Sequence, residues 1–280
     1  MTAVAAGGTG TADLLVLSSP GSPALMMYGP AGRSLASGPA AVLGNPALSG
    51  SGFTASGGRW NLSTTAVSTA GGVSAGDVTF AAGLAYVGKG GLVRRDQFGQ
   101  ALGEYAFSSG FGLAGLSFPI GGRFTGGLSA GLAWEDPGTG TGTGLAASAG
   151  VAGEPLDGLR LGAGVTGLGF APSWDGIRKS MPITVSVGAE WSASGTLGIF
   201  TGGNMGFYTA GSFGGGVHIT IDDLSVSAGY SLCPGEQETT GIFGGLSYSY
   251  SSGGTYVIEA AFAQRESMDW PVMAGISVML

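Results

Sequence analysis

The chain has 280 residues, a net charge of −7 and one cysteine, Cys233, which excludes an internal disulfide and a multi-cysteine zinc site. Its basic residues form no cluster larger than a pair such as Arg94-Arg95, so nothing points to nucleic acid, and only 10% of residues are charged while 59 are glycine. Mean hydropathy is +0.35 without a run of 18 apolar residues, which excludes a helical span and leaves apolar residues interleaved with small and polar ones, the weak signature of a transmembrane β-barrel.

Residues 1–22 read as an extended lead-in. Arg33 is the first basic residue, so the basic start of a signal peptide is missing. Ala3-Val4-Ala5-Ala6 is similar to the small-residue end of such a peptide, and the numbering is expected to begin near the mature start. Residues 23–51 differ from the rest of the chain. Pro23–Tyr28 and Ser34–Leu43 each suit a short helix, and Gly29-Pro30 and Gly44-Asn45-Pro46 break them. Pieces this short need a surface to pack on, and a barrel interior supplies one.

From Gly52 onward the sequence predicts fourteen strands, at 52–61, 64–75, 77–88, 103–119, 123–135, 144–154, 159–170, 181–193, 196–208, 211–222, 224–233, 239–250, 255–264 and 269–280. The segment 181–193 shows the pattern best. Ile183, Val185, Val187, Ala189 and Trp191 share one parity, and Thr184, Ser186, Gly188, Glu190 and Ser192 share the other. Successive strand side chains face opposite sides, so the first set is expected to meet lipid and the second the interior. On that reading Val185→Arg blocks membrane assembly and Ser186→Arg is tolerated. Parity switches inside 103–119, where Tyr105 and Phe107 hand over to Leu116 and Phe118, and again near Gly167; both read as bulges or glycine kinks.

Links near 76, 120–122, 155–158, 194–195, 222–223 and 251–254 are short. Those at 89–102, 136–143, 171–180, 209–210, 234–238 and 265–268 are mostly longer. The alternation fits periplasmic turns and outer loops of a barrel with an even strand count. Aromatics near strand ends, namely Trp60, Tyr86, Trp134, Trp191, Tyr208, Tyr248, Tyr250, Tyr256 and Trp270, fit interfacial girdles. Glu104, Glu135, Glu190, His218 and Glu259 fall on the small or polar parity and are the lumen-facing candidates.

In the segment 29–51, Gly32-Arg33 leads through a small-residue stretch into Asn45-Pro46-Ala47-Leu48, directly before the first strand. This resembles the N-terminal signature of the FadL-like outer-membrane superfamily, and more closely its PorV/PorQ-type branch. The likeness spans nearly the whole chain, as architecture rather than identity. It implies Arg33, Asn45, Pro46 and Ala47 as plug residues, and a bacterial outer membrane with its lipid and lipopolysaccharide as the surroundings. It also implies one of two jobs: a partner of protein-secretion machinery or surface anchor, or a channel for hydrophobic ligands. Short loops favour the first. Two departures stand out. No acid lies between Arg33 and Asn45, which removes the family's usual plug salt bridge, and Leu280 ends the chain in place of an aromatic.

Other chemistry is weak. Gly162–Gly167 spells G-x-G-x-x-G, but Leu-Gly-Phe-Ala-Pro comes next, where a dinucleotide fold needs a helix. His218 is the sole histidine, so no His-based metal cluster is expected; a hydrated lumen position is favoured over a pair with Glu190 or Asp222. Ser/His/Asp combinations lack a nucleophile elbow. The sequence therefore predicts a non-enzymatic, all-β protein with no cofactor. It comprises a lead-in at 1–22, a short helical plug at 23–51, and a closed antiparallel transmembrane barrel of about 14 strands at 52–280. A soluble Gly-rich β-structural protein is the alternative from another class.

Overall fold

The computed structural model describes residues 15–19, 21–60, 64–138, 140–174, 177–178, 180–192, 194–207, 211–233, 240–264 and 270–280. In chain order the first strands are β1 (Gly52–Trp60), β2 (Thr64–Ala75), β3 (Val78–Arg95), β4 (Ala101–Gly121), β5 (Phe124–Asp136), β6 (Gly142–Leu156) and β7 (Leu159–Phe170). Two short strands, β8 (Ser173–Trp174) and β9 (Ile177–Arg178), pair only with each other. Next come β10 (Thr184–Ser192), β11 (Leu197–Gly206), β12 (Ser212–Ile221), β13 (Leu224–Leu232), β14 (Gly241–Ser251), β15 (Thr255–Ala263) and β16 (Val272–Met279). All but β8 and β9 form one closed antiparallel barrel of fourteen strands. The closing pair is β1 with β16, Gly52 opposite Met279 and Arg59 opposite Val272. Closure leaves no sheet edge, so every strand has a hydrogen-bonding neighbour on both sides.

The faces divide as the parity predicts. On β10, Val185 is 42% exposed and Ser186 only 2%. Leu128, Leu132, Ile219, Val226, Ile258 and Ile276 continue the outward apolar surface around the barrel. A belt of that extent, unburied against any protein layer, is a lipid-facing surface. It overturns the soluble alternative. The protein is a bacterial outer-membrane barrel, with a short helical segment at the N-terminus.

Several expectations change. The link expected at 89–102 is mostly strand: β3 and β4 run on to a short loop at 96–100, with a bulge between Lys89 and Leu92. The 18 residues of β3 extend about 60 Å at 3.3 Å each, twice the roughly 30 Å of hydrocarbon, so this hairpin projects past the loop end. Parity does not switch within 103–119. The register there is continuous from Phe107 to Pro119, and Phe107, Phe111 and Leu113 turn into the barrel, where they pack in a buried apolar cluster. The switch at Gly167 is a bulge, opposite Ser148 in the β6–β7 pair, with Gly167 at φ +75. β10 begins at Thr184, and Ile183 packs against the interior cluster instead of lipid. Trp60 is likewise interior, 5% exposed, and is no girdle residue. Trp134, Trp191, Tyr248, Tyr250, Tyr256 and Trp270 stand near strand ends as expected, Tyr86 falls in the middle of β3 because that strand runs on to Arg95, and Tyr208 lies outside the described residues.

Candidate functional site

The interior is occupied by the N-terminal segment. After a 3-10 turn at Leu15–Ser18, its residues 23–48 form α1 (Pro23–Met27), α2 (Gly32–Leu35) and three more 3-10 turns at Gly29–Ala31, Pro39–Leu43 and Pro46–Leu48, five pieces in all. Four of these five pieces have proline at their first or second position, where its fixed φ suits helix entry and its missing N–H costs nothing. Ser22 caps α1, accepting from the Leu25 amide at 3.3 Å, and Asn45 caps the last turn, accepting from the Ala47 amide at 3.1 Å. Residues 23–48 touch all fourteen barrel strands.

Inward glycines make that fit possible. A Cβ on Gly162 of β7 would overlap the Ser34 carbonyl oxygen, and one on Gly127 of β5 would overlap the backbone of Pro46 and Ala47. The chain lies directly on the wall at these points. Part of the glycine excess is explained by this contact, including Gly162 of the pseudo-motif at 162–167, which lies in β7 with no helix after it.

Ser129 Oγ of β5 donates to the Val42 carbonyl at 3.3 Å, and three further polar anchors fix the segment to β6 and β7. Asn45 Nδ2 donates to the carbonyls of Val151 and Ala163, both at 3.3 Å. Arg33 donates to Thr166 Oγ1 at 3.2 Å and to the carbonyls of Leu17 and Ser19, so neutral oxygens hold it in place of an ion pair. The bulge at Gly167 comes directly after that Thr166. Tyr28 accepts from Arg160 at 3.2 Å, and Arg160 is ion-paired with Glu190, its direct neighbour across β7 and β10. His218 Nδ1 lies 3.2 Å from the other Glu190 oxygen. Tyr28 also meets Phe200 edge to face, with ring centroids 4.9 Å apart, and Phe200 adjoins Phe243 at 6.1 Å.

The expected site residues thus have different fates. Arg33, Asn45, Pro46 and Ala47 all sit inside the barrel against its wall. Glu190 and His218 come together, where the sequence favours a hydrated histidine. Glu135 is buried, and Glu259 is half-buried on the inward parity of β15. Glu104 is not lumenal: it is exposed on the projecting part of β4, sharing parity with outward Leu116 and Phe118. Asp222 lies past the end of β12 with a φ of 51, in the tight turn to β13, and not on the lumen wall. Arg160 and Tyr28 are the functional residues that sequence reasoning missed. An arginine on the small-residue parity of a strand was the available signal for Arg160.

The anchors make a prediction. Asn45→Ala removes two hydrogen bonds to the wall and a cap, and is expected to destabilise the segment by about 1–2 kcal/mol. Trypsin cleavage after Arg33 should quicken while heat-modifiable migration of the barrel in SDS gels is retained.

A closed fourteen-strand barrel with an N-terminal segment wedged across its interior defines the class of the protein. No family model matches the sequence, and no curated protein matches it. Among solved structures, the toluene transporter TodX of Pseudomonas putida superposes with a TM-score of 0.66 at 14% identity, over 97% of this chain and 98% of that one. The toluene transporter TbuX of Ralstonia pickettii gives 0.62 at 16% identity, over 91% and 98%. The monoaromatic hydrocarbon channel CymD gives 0.65 at 10% identity, over 91% and 97%. At these identities the likeness establishes a shared fold. It supports the FadL-like side of the resemblance and lends none to the PorV/PorQ-type branch or to a secretion-machine partner.

Proposed function

We propose that the protein is a channel for small hydrophobic molecules across the outer membrane, with residues 23–51 as its plug. This replaces the export-partner reading that short loops favour. One observation carries it: around the segment the inner wall carries large apolar side chains, where a porin's wall is polar. Val87, Phe111, Leu113, Phe200, Phe243 and Met273 all face inward and are buried around the segment. Such a wall offers a hydrocarbon better surroundings than water does, by about 25 cal/mol per Å² of apolar surface covered. The cargoes in the names of TodX, TbuX and CymD, toluene and monoaromatic hydrocarbons, fit it.

The test is uptake of radiolabelled toluene by cells lacking other hydrocarbon channels. Expression is expected to raise the initial rate several-fold while leaving sugar uptake unchanged. A toluene rate equal to that of empty-vector cells removes the reading.

A further inference from the structure

The segment meets the two sides of the wall differently. Toward β6, β7 and β10 it is tied by Asn45, Arg33 and Tyr28. Toward β13 and β14 side chains make the contact: Met27 lies over Gly245, and Phe243 lies between Gly29 and Gly229. On the turn side of these residues the inner wall changes character. His218 and Ser227 stand directly opposite each other across β12 and β13. One rung nearer the turn, Thr220 and Ser225 oppose each other and share a hydrogen bond of 2.8 Å. Ser225 faces Ser247, and Ser247 faces Glu259. A row of hydroxyls ending in a carboxylate thus lies below the ring cluster of Tyr28, Phe200 and Phe243.

This row holds hydrogen-bonding capacity that the protein leaves unused. Ser227 Oγ and His218 Nδ1 are both buried without a hydrogen bond. Nδ1 approaches Glu190, but too far off line to form one. Glu259 makes no hydrogen bond or ion pair among the described residues. Buried polar atoms are paired in the great majority of cases, so two unpaired ones on directly opposed residues mark a place for a ligand atom. The nearby fixed charges are Arg160, Glu190 and Glu259, which sum to −1 with His218 neutral. A carboxylate is repelled there, and a plain hydrocarbon leaves both atoms unpaired. A hydroxyl both donates and accepts, so it satisfies Ser227 together with either tautomer of His218.

We propose that the turn-side wall of β12–β15 binds a small neutral aromatic molecule bearing one hydroxyl, a phenol, with its ring beside the half-buried Tyr28. The proposal rests on the channel reading and narrows its substrate class.

Purified protein in detergent, titrated calorimetrically with phenol, toluene and benzoate against matched micelle blanks, tests it. Phenol is expected to bind about tenfold more tightly than toluene, the size of one net hydrogen bond, with benzoate weakest. Ser227→Ala and His218→Phe, each checked for heat-modifiable migration, are expected to bring phenol to the affinity of toluene. Toluene binding as tightly as phenol, benzoate binding most tightly, or a phenol preference that survives both substitutions overturns the phenol site and leaves the channel standing. Binding of none of the three, with no toluene uptake by cells, overturns both.

Discussion

Val187→Arg is expected to keep the chain out of the membrane, giving a species whose gel migration no longer depends on heating. Val187 is 54% exposed on the outward face of β10 and pairs with Ala163 and Gly203, both near the middle of their strands. A guanidinium at the bilayer midplane costs about 2–4 kcal/mol, falling toward zero near the interface. Val185→Arg, one outward position nearer the loop end, should fail in the same direction by less. Ser186→Arg separates the two faces. Parity alone makes it harmless, because the charge enters the interior. The structure revises that, since Ser186 is 2% exposed and lies against Gly164, which Asn45 adjoins. The barrel is expected to assemble, but with its N-terminal segment displaced and open to trypsin at Arg33. Refolding into lipid vesicles, tracked by heat-modifiable migration and limited proteolysis, distinguishes the outcomes. Loss of assembly by Ser186→Arg with assembly kept by Val187→Arg would mean the faces are assigned backwards.

The barrel was legible because period-two alternation is a local property. β10 needs no knowledge of its neighbours to show that Val187 and Ser186 face opposite ways. Strand ends in β3 and β4 were not legible for the same reason. A glycine-rich, charged stretch such as Lys89–Arg95 reads as loop, and only pairing with Ala101–Phe107 makes it a strand. The supposed switch within β4 shows a further limit. Phe107 reads as lipid-facing because it is apolar, whereas the interior beside it is itself apolar, a cluster of Phe111, Leu113 and their neighbours. Hydrophobicity identifies a buried or lipid-exposed face but cannot say which when both faces are dry.

The candidate site was legible only at its edges. Asn45-Pro46-Ala47 stood out as a helix break and family-like signature directly before the first strand, and Glu190 as a carboxylate on a polar parity. What joins them depends on register between distant strands: Arg160 faces Glu190 across β7 and β10, 30 positions apart. Tyr28 carries no strand pattern at all, and its role appears only when the segment is laid against the wall. The same long-range fit explains why glycine was counted but not understood. Gly162 and Gly127 answer to Ser34 and Ala47, not to their own strands.

That register makes Arg160→Met the second large expected effect. Glu190 is 6% exposed at its side chain and Arg160 31%. Removing the arginine leaves a buried carboxylate with only His218 beside it, and also withdraws the donor to Tyr28. Breaking a buried pair from one side costs about 3–5 kcal/mol, and the partial exposure of Arg160 places this case at the low end. Glu190→Gln should cost less, because the half-open guanidinium regains water and keeps a neutral acceptor. The double variant Arg160→Met/Glu190→Leu, which removes both charges, should recover most of the loss. Urea unfolding in lipid vesicles, monitored by tryptophan fluorescence, measures all three. A double variant no more stable than Arg160→Met alone would show that the arginine acts through Tyr28 and the seated segment, not through Glu190. The difference decides whether the ion pair is a strut of the barrel wall or a clasp that holds the plug, since only a clasp would leave barrel stability unchanged once residues 23–51 are displaced.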